Sequence, residues 1–207
     1  MGRASQAQAA EHREQLVAAA SRLFREQGFQ VSLAELTGAV GLTTGGFYRQ
    51  FESKDALLGE ATAHAFTELR ALLDGFEAAH SGDHGAGRTA LIDYYLSAGH
   101  RDDAAQGCPV SGLNAAVSHQ PESSQAKRHY VEGVEGLAGW LESAPSTADQ
   151  PVAGGGPGEG ATQVSDEGYA TLCTLVGALV LARATRGSAV SEQILTSARR
   201  TLAAADD

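Results

Sequence analysis

Residues 32–54, SLAELTGAVGLTTGGFYRQFESK, constrain this chain more than any other stretch. Ser32, with Glu35 three residues on, forms a capping box: the hydroxyl accepts an amide of the first helical turn and the carboxylate bonds back to the cap. A helix therefore starts at Leu33. Leu33, Leu36 and Val40 share one of its faces, and Gly41 interrupts it where a sharp turn needs the backbone freedom that glycine supplies cheaply. Thr43 or Thr44 caps a second helix over about 44–50, with Phe47 and Phe51 turned to a core four residues apart. Thr44, Gly45, Tyr48 and Arg49 are left facing outward. Two helices joined by a tight glycine turn make a helix-turn-helix, whose second member can lie in the major groove of DNA.

The same residues carry a family resemblance. Gly28-Phe29, Ser32-Leu33, Val40-Gly41-Leu42-Thr43, Gly46-Phe47-Tyr48, Phe51 and Ser53-Lys54-Asp55-Ala56-Leu57 resemble, in order and nearly in spacing, the N-terminal signature of TetR-family transcriptional regulators. The resemblance covers about the first quarter of the chain, and the link from Gly28 to Ser32 is one residue shorter than is usual there. It implies an all-helical regulator whose last two helices pair two subunits. It also implies that the tyrosine and lysine matched by Tyr48 and Lys54 clamp the DNA backbone.

A net charge of -10 argues against DNA binding at face value, because the phosphate backbone rewards Lys and Arg. Its distribution removes the objection. Up to Lys54 there are six basic residues (Arg3, Arg13, Arg22, Arg25, Arg49, Lys54) against five acidic (Glu11, Glu14, Glu26, Glu35, Glu52), so the acidity belongs to the remainder. A weakly basic head on an acidic body predicts modest non-specific affinity. Two cysteines, Cys108 and Cys173, exclude a disulfide scaffold and suit a cytoplasmic protein. The polar N-terminus has no apolar leader core, and the longest apolar run, 169–182, is too short to span a bilayer. No membrane partner is expected.

Residues 1–8 lack periodicity and read as mobile, with Arg3 available to phosphate or minor groove. Over 9–27, Leu16, Ala19, Ala20, Leu23 and Phe24 repeat at three and four, an amphipathic helix that backs the helix-turn-helix. Ser53 caps a long helix to about residue 79, with Leu57, Leu58, Ala61, Ala65, Leu69, Leu72, Leu73 and Phe76 as its buried stripe, a lever between two domains. A loop is expected over 80–87, then helices over 88–98, 109–119 and 121–143. Residues 145–163, rich in Gly, Pro and Ala, read as a flexible loop. Helices over 165–186 and 190–205 close the chain. The first of these is apolar nearly all round, so it must be covered on several sides. Paired with the last helix and a twofold copy it would form a four-helix dimer interface, the alternative being the central helix of a monomer core.

The fold class is therefore all-α, about nine helices, with a three-helix DNA-binding domain over 1–53 and a ligand-binding and dimerisation domain over 54–207. Thr44, Gly45 and Arg49 are the candidates for base contacts, Tyr48 and Lys54 for phosphate, and Thr43 and Gln50 for either. Cys108 sits between Gly107 and Pro109 at a helix start, where unpaired amides favour a thiolate. A Gly-Cys-Pro at this place resembles a branch of the family with a sensor cysteine, the alternative being a small buried hydrophobe. Phe66, Tyr94, Tyr95, His100, Tyr130 and Trp140 are candidates to line a pocket for a small, largely apolar inducer. His80 and His84 have helical spacing but no third ligand in pattern, so no metal is expected. No cofactor is expected, and no nucleophile elbow or phosphate cradle occurs, so no enzyme is expected either. The reading is a homodimeric repressor on double-stranded operator DNA, against two alternatives: a helical small-molecule-binding protein without DNA affinity, and an enzyme built on Cys108.

Overall fold

The computed structural model of the chain describes residues 2–142 and 164–205, and the side chains of 6–142 and 164–204. The 145–163 stretch and the Arg3 side chain lie outside the described residues. Ten α-helices occur among the described residues, with no strand: α1 Gly2–Gln27, α2 Leu33–Gly38, α3 Thr44–Phe47, α4 Lys54–Ala79, α5 His84–Tyr95, α6 Ala98–Asp102, α7 Pro109–Ser118, α8 Gln125–Trp140, α9 Asp166–Ala184 and α10 Ala189–Ala205. The all-helical expectation holds. α6 is the one helix it did not include.

Three helix starts differ from the expected ones for identifiable reasons. α1 begins at Gly2, where a mobile tail was expected, because Arg, Ala and Gln favour helix even without an apolar face to bury. α5 begins at His84, inside the expected loop, because the Asp83 carboxylate accepts the Ala86 amide at 3.0 Å and caps it. α8 begins at Gln125, after Pro121, where the Ser124 hydroxyl accepts the Lys127 amide at 3.1 Å.

Packing divides the chain into two compact units, residues 1–72 with 99–134, and residues 73–98 with 135–207, so the divisions fall inside α4, after the first residue of α6, and inside α8. The core of the first unit is Leu16, Ala20 and Phe24 of α1, Leu36 of α2, Phe47 and Phe51, Leu57, Leu58, Ala61 and Ala65 of α4, and Leu113, Ala116 and Val117 of α7. α7 is thus a layer under the N-terminal helices. The second unit buries Leu91, Ile92 and Tyr95 of α5, Leu137, Ala138 and Leu141, and Leu172, Leu175, Leu179 and Ala182 of α9, with Leu195 and Leu202 of α10. Arg88 is buried there, its Nε donating to the Leu141 carbonyl at 2.7 Å and its Nη2 to the Thr171 hydroxyl at 3.4 Å, with Glu167 at 3.7 Å. A buried guanidinium is tolerated only with such partners.

The α4 stripe is buried at Leu57, Leu58, Ala61, Ala65 and Leu73, whereas Leu72 is exposed. α9 is long and apolar enough to cross a membrane by length and composition, a property shared by core helices of soluble proteins. One face of it, from Leu172 to Ala182, is packed into the second unit. The opposite face, Tyr169, Cys173, Val180 and Leu181, is exposed, as is Val190 on α10.

Candidate nucleic-acid interface

The helix-turn-helix forms as its cap and turn residues dictate. The Ser32 hydroxyl accepts the Glu35 amide at 3.2 Å and the Glu35 carboxylate accepts the Ser32 amide at 2.8 Å, completing the capping box. Bonds to Ser32, side chain first and then backbone, hold the Glu35 carboxyl below its ordinary pKa. At the far end of α2, Gly41 takes φ +69°. This left-handed residue lets the Leu42 amide reach the Thr37 carbonyl at 2.9 Å and its own amide reach Gly38 at 3.2 Å, a Schellman closure.

Thr43 caps α3, its hydroxyl accepting the Gly46 amide at 3.2 Å. α3 is a single turn that ends at Phe47, shorter than the expected 44–50, and residues 48–50 continue as turns closed on Phe47. Phe47 and Phe51 are buried, with ring centroids 5.8 Å apart. Two inward anchors four residues apart leave the residues around them to face solvent: Thr43, Thr44, Gly45, Tyr48 and Arg49 are all exposed, Tyr48 by 60%. Tyr48 stands edge-on to Phe47 at 5.2 Å, which braces its ring while leaving the hydroxyl outward. Among the described residues nothing bonds to the Arg49 guanidinium.

Arg13, absent from the sequence-based candidates, fixes the far end of this element. Its guanidinium lies 4.0 Å from the Phe51 ring centroid, donates to the Gln50 carbonyl and pairs with Glu60 of α4. These partners lie 37 and 47 residues away in sequence, so no local pattern reveals them. Lys54 is half-buried: its ammonium donates to the Phe29 carbonyl and lies 4.3 Å from that ring's centroid. Burial, outweighing the Asp55 and Glu35 charges, lowers its pKa. Lys54 therefore ties the end of the turn after α1 to the start of α4, with two of its three N–H donors left for another acceptor.

The other candidates divide between the two units. In the first, Phe66 meets Tyr130 edge-on at 5.9 Å, and the Tyr130 hydroxyl donates to the Val110 carbonyl at 2.6 Å. Burial first, and neighbouring Cys108 second, push the Tyr130 pKa far above its ordinary value, so it stays a neutral donor. Cys108 is buried at the N-cap of α7, and its amide donates to His100 Nε2 at 3.1 Å. In the second unit Tyr95 is buried and Tyr94 is exposed at 39%, 5.9 Å from Phe76. Trp140 there packs on His84 at 5.0 Å. His84 bonds Glu77 and Glu142 and His80 bonds the Phe76 carbonyl, and among the described residues no three His, Cys, Asp or Glu gather as a metal site.

Comparison with known proteins places this geometry. Residues 16–61 match the family model of the bacterial regulatory proteins, tetR family. Among solved structures, E. coli NemR in its reduced form aligns with a TM-score of 0.68 at 20% identity, over 93% of this chain and 96% of that one. A TetR-family transcriptional regulator from Agrobacterium tumefaciens aligns at 0.68 and 20%, over 93% and 98%. One from Cytophaga hutchinsonii aligns at 0.69 and 19%, over 95% and 96%. At these identities the structural likeness speaks for the fold alone. No curated protein matches the sequence.

Proposed function

We propose, on the match of residues 16–61 to the family model of the bacterial regulatory proteins, tetR family, that the protein is a TetR-like dimeric repressor that binds a palindromic operator. The observation that carries the reading is the outward face of α3 and the turn after it. There a fork of arginine donors, a braced phenol, two hydroxyls and bare glycine backbone project from a head whose own core is closed.

In this reading residues 1–53 bind DNA and residues 54–207 bind ligand and dimerise. Arg49, Thr44 and Gly45 meet base edges, Arg49 through guanine acceptors. Tyr48 and Lys54 hold phosphates, Lys54 through the donors not given to Phe29, and Thr43 and Gln50 serve either role. Two heads related by a twofold axis require a roughly palindromic site. The exposed stripe on α9 supports the dimer, because an isolated chain has no reason to leave Tyr169, Val180 and Leu181 in water on an otherwise apolar helix. We assign the protein no enzymatic activity.

Release from the operator follows a shift between two states that differ in affinity for an inducer, with a few kcal/mol sufficient. The trigger is a small, largely apolar molecule, or modification of Cys108. Burial of Cys108 favours the reversible ligand, whereas its helix-start position favours a thiolate. The reduced form named for the NemR structure concerns that protein, and it motivates testing the cysteine here.

The test is binding of the full chain, at fixed salt, to the DNA upstream of its own gene, before and after a mild oxidant or electrophile. Selective binding that is lost on treatment and kept by Cys108→Ser supports a cysteine switch; binding indifferent to treatment supports a reversible inducer. Tyr48→Ala and Lys54→Ala should weaken binding to every sequence, and Arg49→Ala should relax preference at particular positions. Absence of selective binding would refute the repressor reading in favour of a helical small-molecule-binding protein.

A further inference from the structure

Arg25 is a basic residue with only 3% of its side chain exposed, set on the inner face of α1. Its guanidinium reaches three segments of the first unit. Nε donates to the Ser21 carbonyl one turn back at 3.2 Å, Nη1 to the Gly107 carbonyl at 3.1 Å, and Nη2 to the Glu68 carboxylate of α4 at 2.8 Å. Gly107 immediately precedes Cys108, the N-cap of α7, whose amide is itself held by His100 of α6.

The stem of Arg25 is committed as firmly as its head. At Gly112 of α7 an added Cβ would lie 3.0 Å from Arg25 Cβ and Cγ, closer than ordinary contact. α7 thus approaches α1 over a glycine, and the Arg25 methylenes occupy the space a side chain would take. A leucine or methionine could fill that space without the expense of desolvating a charge. What an apolar residue cannot do is bond a turn carbonyl 82 residues away while paired to α4.

We propose that Arg25 is a positioning residue that latches the turn before α7 onto α1. Opening of the Gly107–Cys108 segment and displacement of the helix backing the reading head are then one event. The latch itself stands on the geometry of the first unit; its consequence for DNA rests on the repressor reading. Because coupling between two equilibria is reciprocal, DNA held by the head must in turn keep the Cys108 segment closed.

The full chain carrying Cys173→Ser leaves Cys108 as its remaining thiol, and the rate at which that thiol displaces thionitrobenzoate from Ellman's disulfide reports opening of the turn. Arg25→Met is expected to raise this rate by about tenfold, as for the loss of one buried hydrogen bond, and Glu68→Gln, which keeps an acceptor oxygen but loses the charge, by about threefold. Arg25→Lys, which can keep one partner, should fall between. Lys127→Met, which breaks the Lys127–Glu122 ion pair outside α1 and the turn, should leave the rate unchanged. Duplex DNA from upstream of the gene should slow labelling in the parent but not in Arg25→Met.

Labelling of Arg25→Met and Glu68→Gln at the parent rate overturns the latch, as does equal acceleration in all variants including Lys127→Met. Equal protection by DNA with and without Arg25 overturns the coupling. Should Arg25→Met fail to fold, Glu68→Gln decides, because Glu68 is 42% exposed and tolerates exchange. A chain that binds no DNA refutes the repressor reading, while labelling without DNA still judges the latch.

Discussion

A methyl group added at Gly133 of α8 would clash with the Cγ–Cδ1–Cε1 edge of the Phe66 ring of α4, far inside van der Waals contact. The absence of a side chain at Gly133 is what lets the ring approach the α8 backbone, and the ring also meets Tyr130 edge-on. Gly133→Ala should therefore lower stability by about 1–3 kcal/mol, the usual cost of overpacking, although alanine is the better helix former. Thermal unfolding of Gly133→Ala, Phe66→Leu and the double variant checks this. The double variant should be more stable than the sum of the two penalties allows, and strict additivity would count against the contact.

His84 should make stability pH-dependent in the second unit. Both ring nitrogens face acceptors, Nδ1 the Glu77 carboxylate at 2.5 Å and Nε2 the Glu142 carbonyl at 3.0 Å, and only the imidazolium can donate to both. Burial alone would lower the pKa, but those two bonds with the Glu77 charge outweigh it and raise it above 6.5, despite Arg88 nearby. A raised folded pKa means that the contribution is fully present below about pH 6.5 and fades as pH climbs through the folded value. Denaturation midpoints should fall across that window in the parent and vary less in His84→Gln. Identical slopes for both proteins would remove His84 from the account.

Arg13 should matter to DNA binding without touching DNA. By capping the Gln50 carbonyl and lying on Phe51 it fixes the far end of the reading element. Arg13→Met should weaken operator binding roughly fivefold to tenfold, the worth of one such hydrogen bond, and equally for all operator variants, since no base contact is lost. Fluorescence anisotropy across single-base variants reads this, and a change confined to one position would instead make Arg13 a reader.

Leu181, 56% exposed on α9, should report the dimer. In a twofold interface each substitution counts twice, and burying a leucine is worth about 1.5–3 kcal/mol. Leu181→Glu is therefore expected to weaken self-association by more than about a hundredfold in sedimentation velocity. Val131→Glu, equally exposed in character at 48% but on α8, is the control that should leave association unchanged.

The reading element was legible because its signals are local. A serine and a glutamate three apart, a glycine that must turn left-handed, and two phenylalanines one helical turn apart each act within a few residues, and the structure returns all three. Helix starts were legible where a cap preceded an apolar face, as at Ser53 and Ser165. The start of α1 was missed because composition favours that helix without any apolar periodicity. The start of α5 was missed because an Asp83 cap is easily read as part of a glycine-rich loop.

The partners of charged groups belong to tertiary structure alone. The partners that Arg13, Arg25, Lys54 and His84 find leave no mark in the sequence, because each bonds groups 7 to 82 residues away. Capping and turn chemistry depend on backbone geometry that a few neighbouring residues determine. Pairing a buried charge depends on which distant segments the core brings within 3 Å of it, and that is decided only when the whole chain packs.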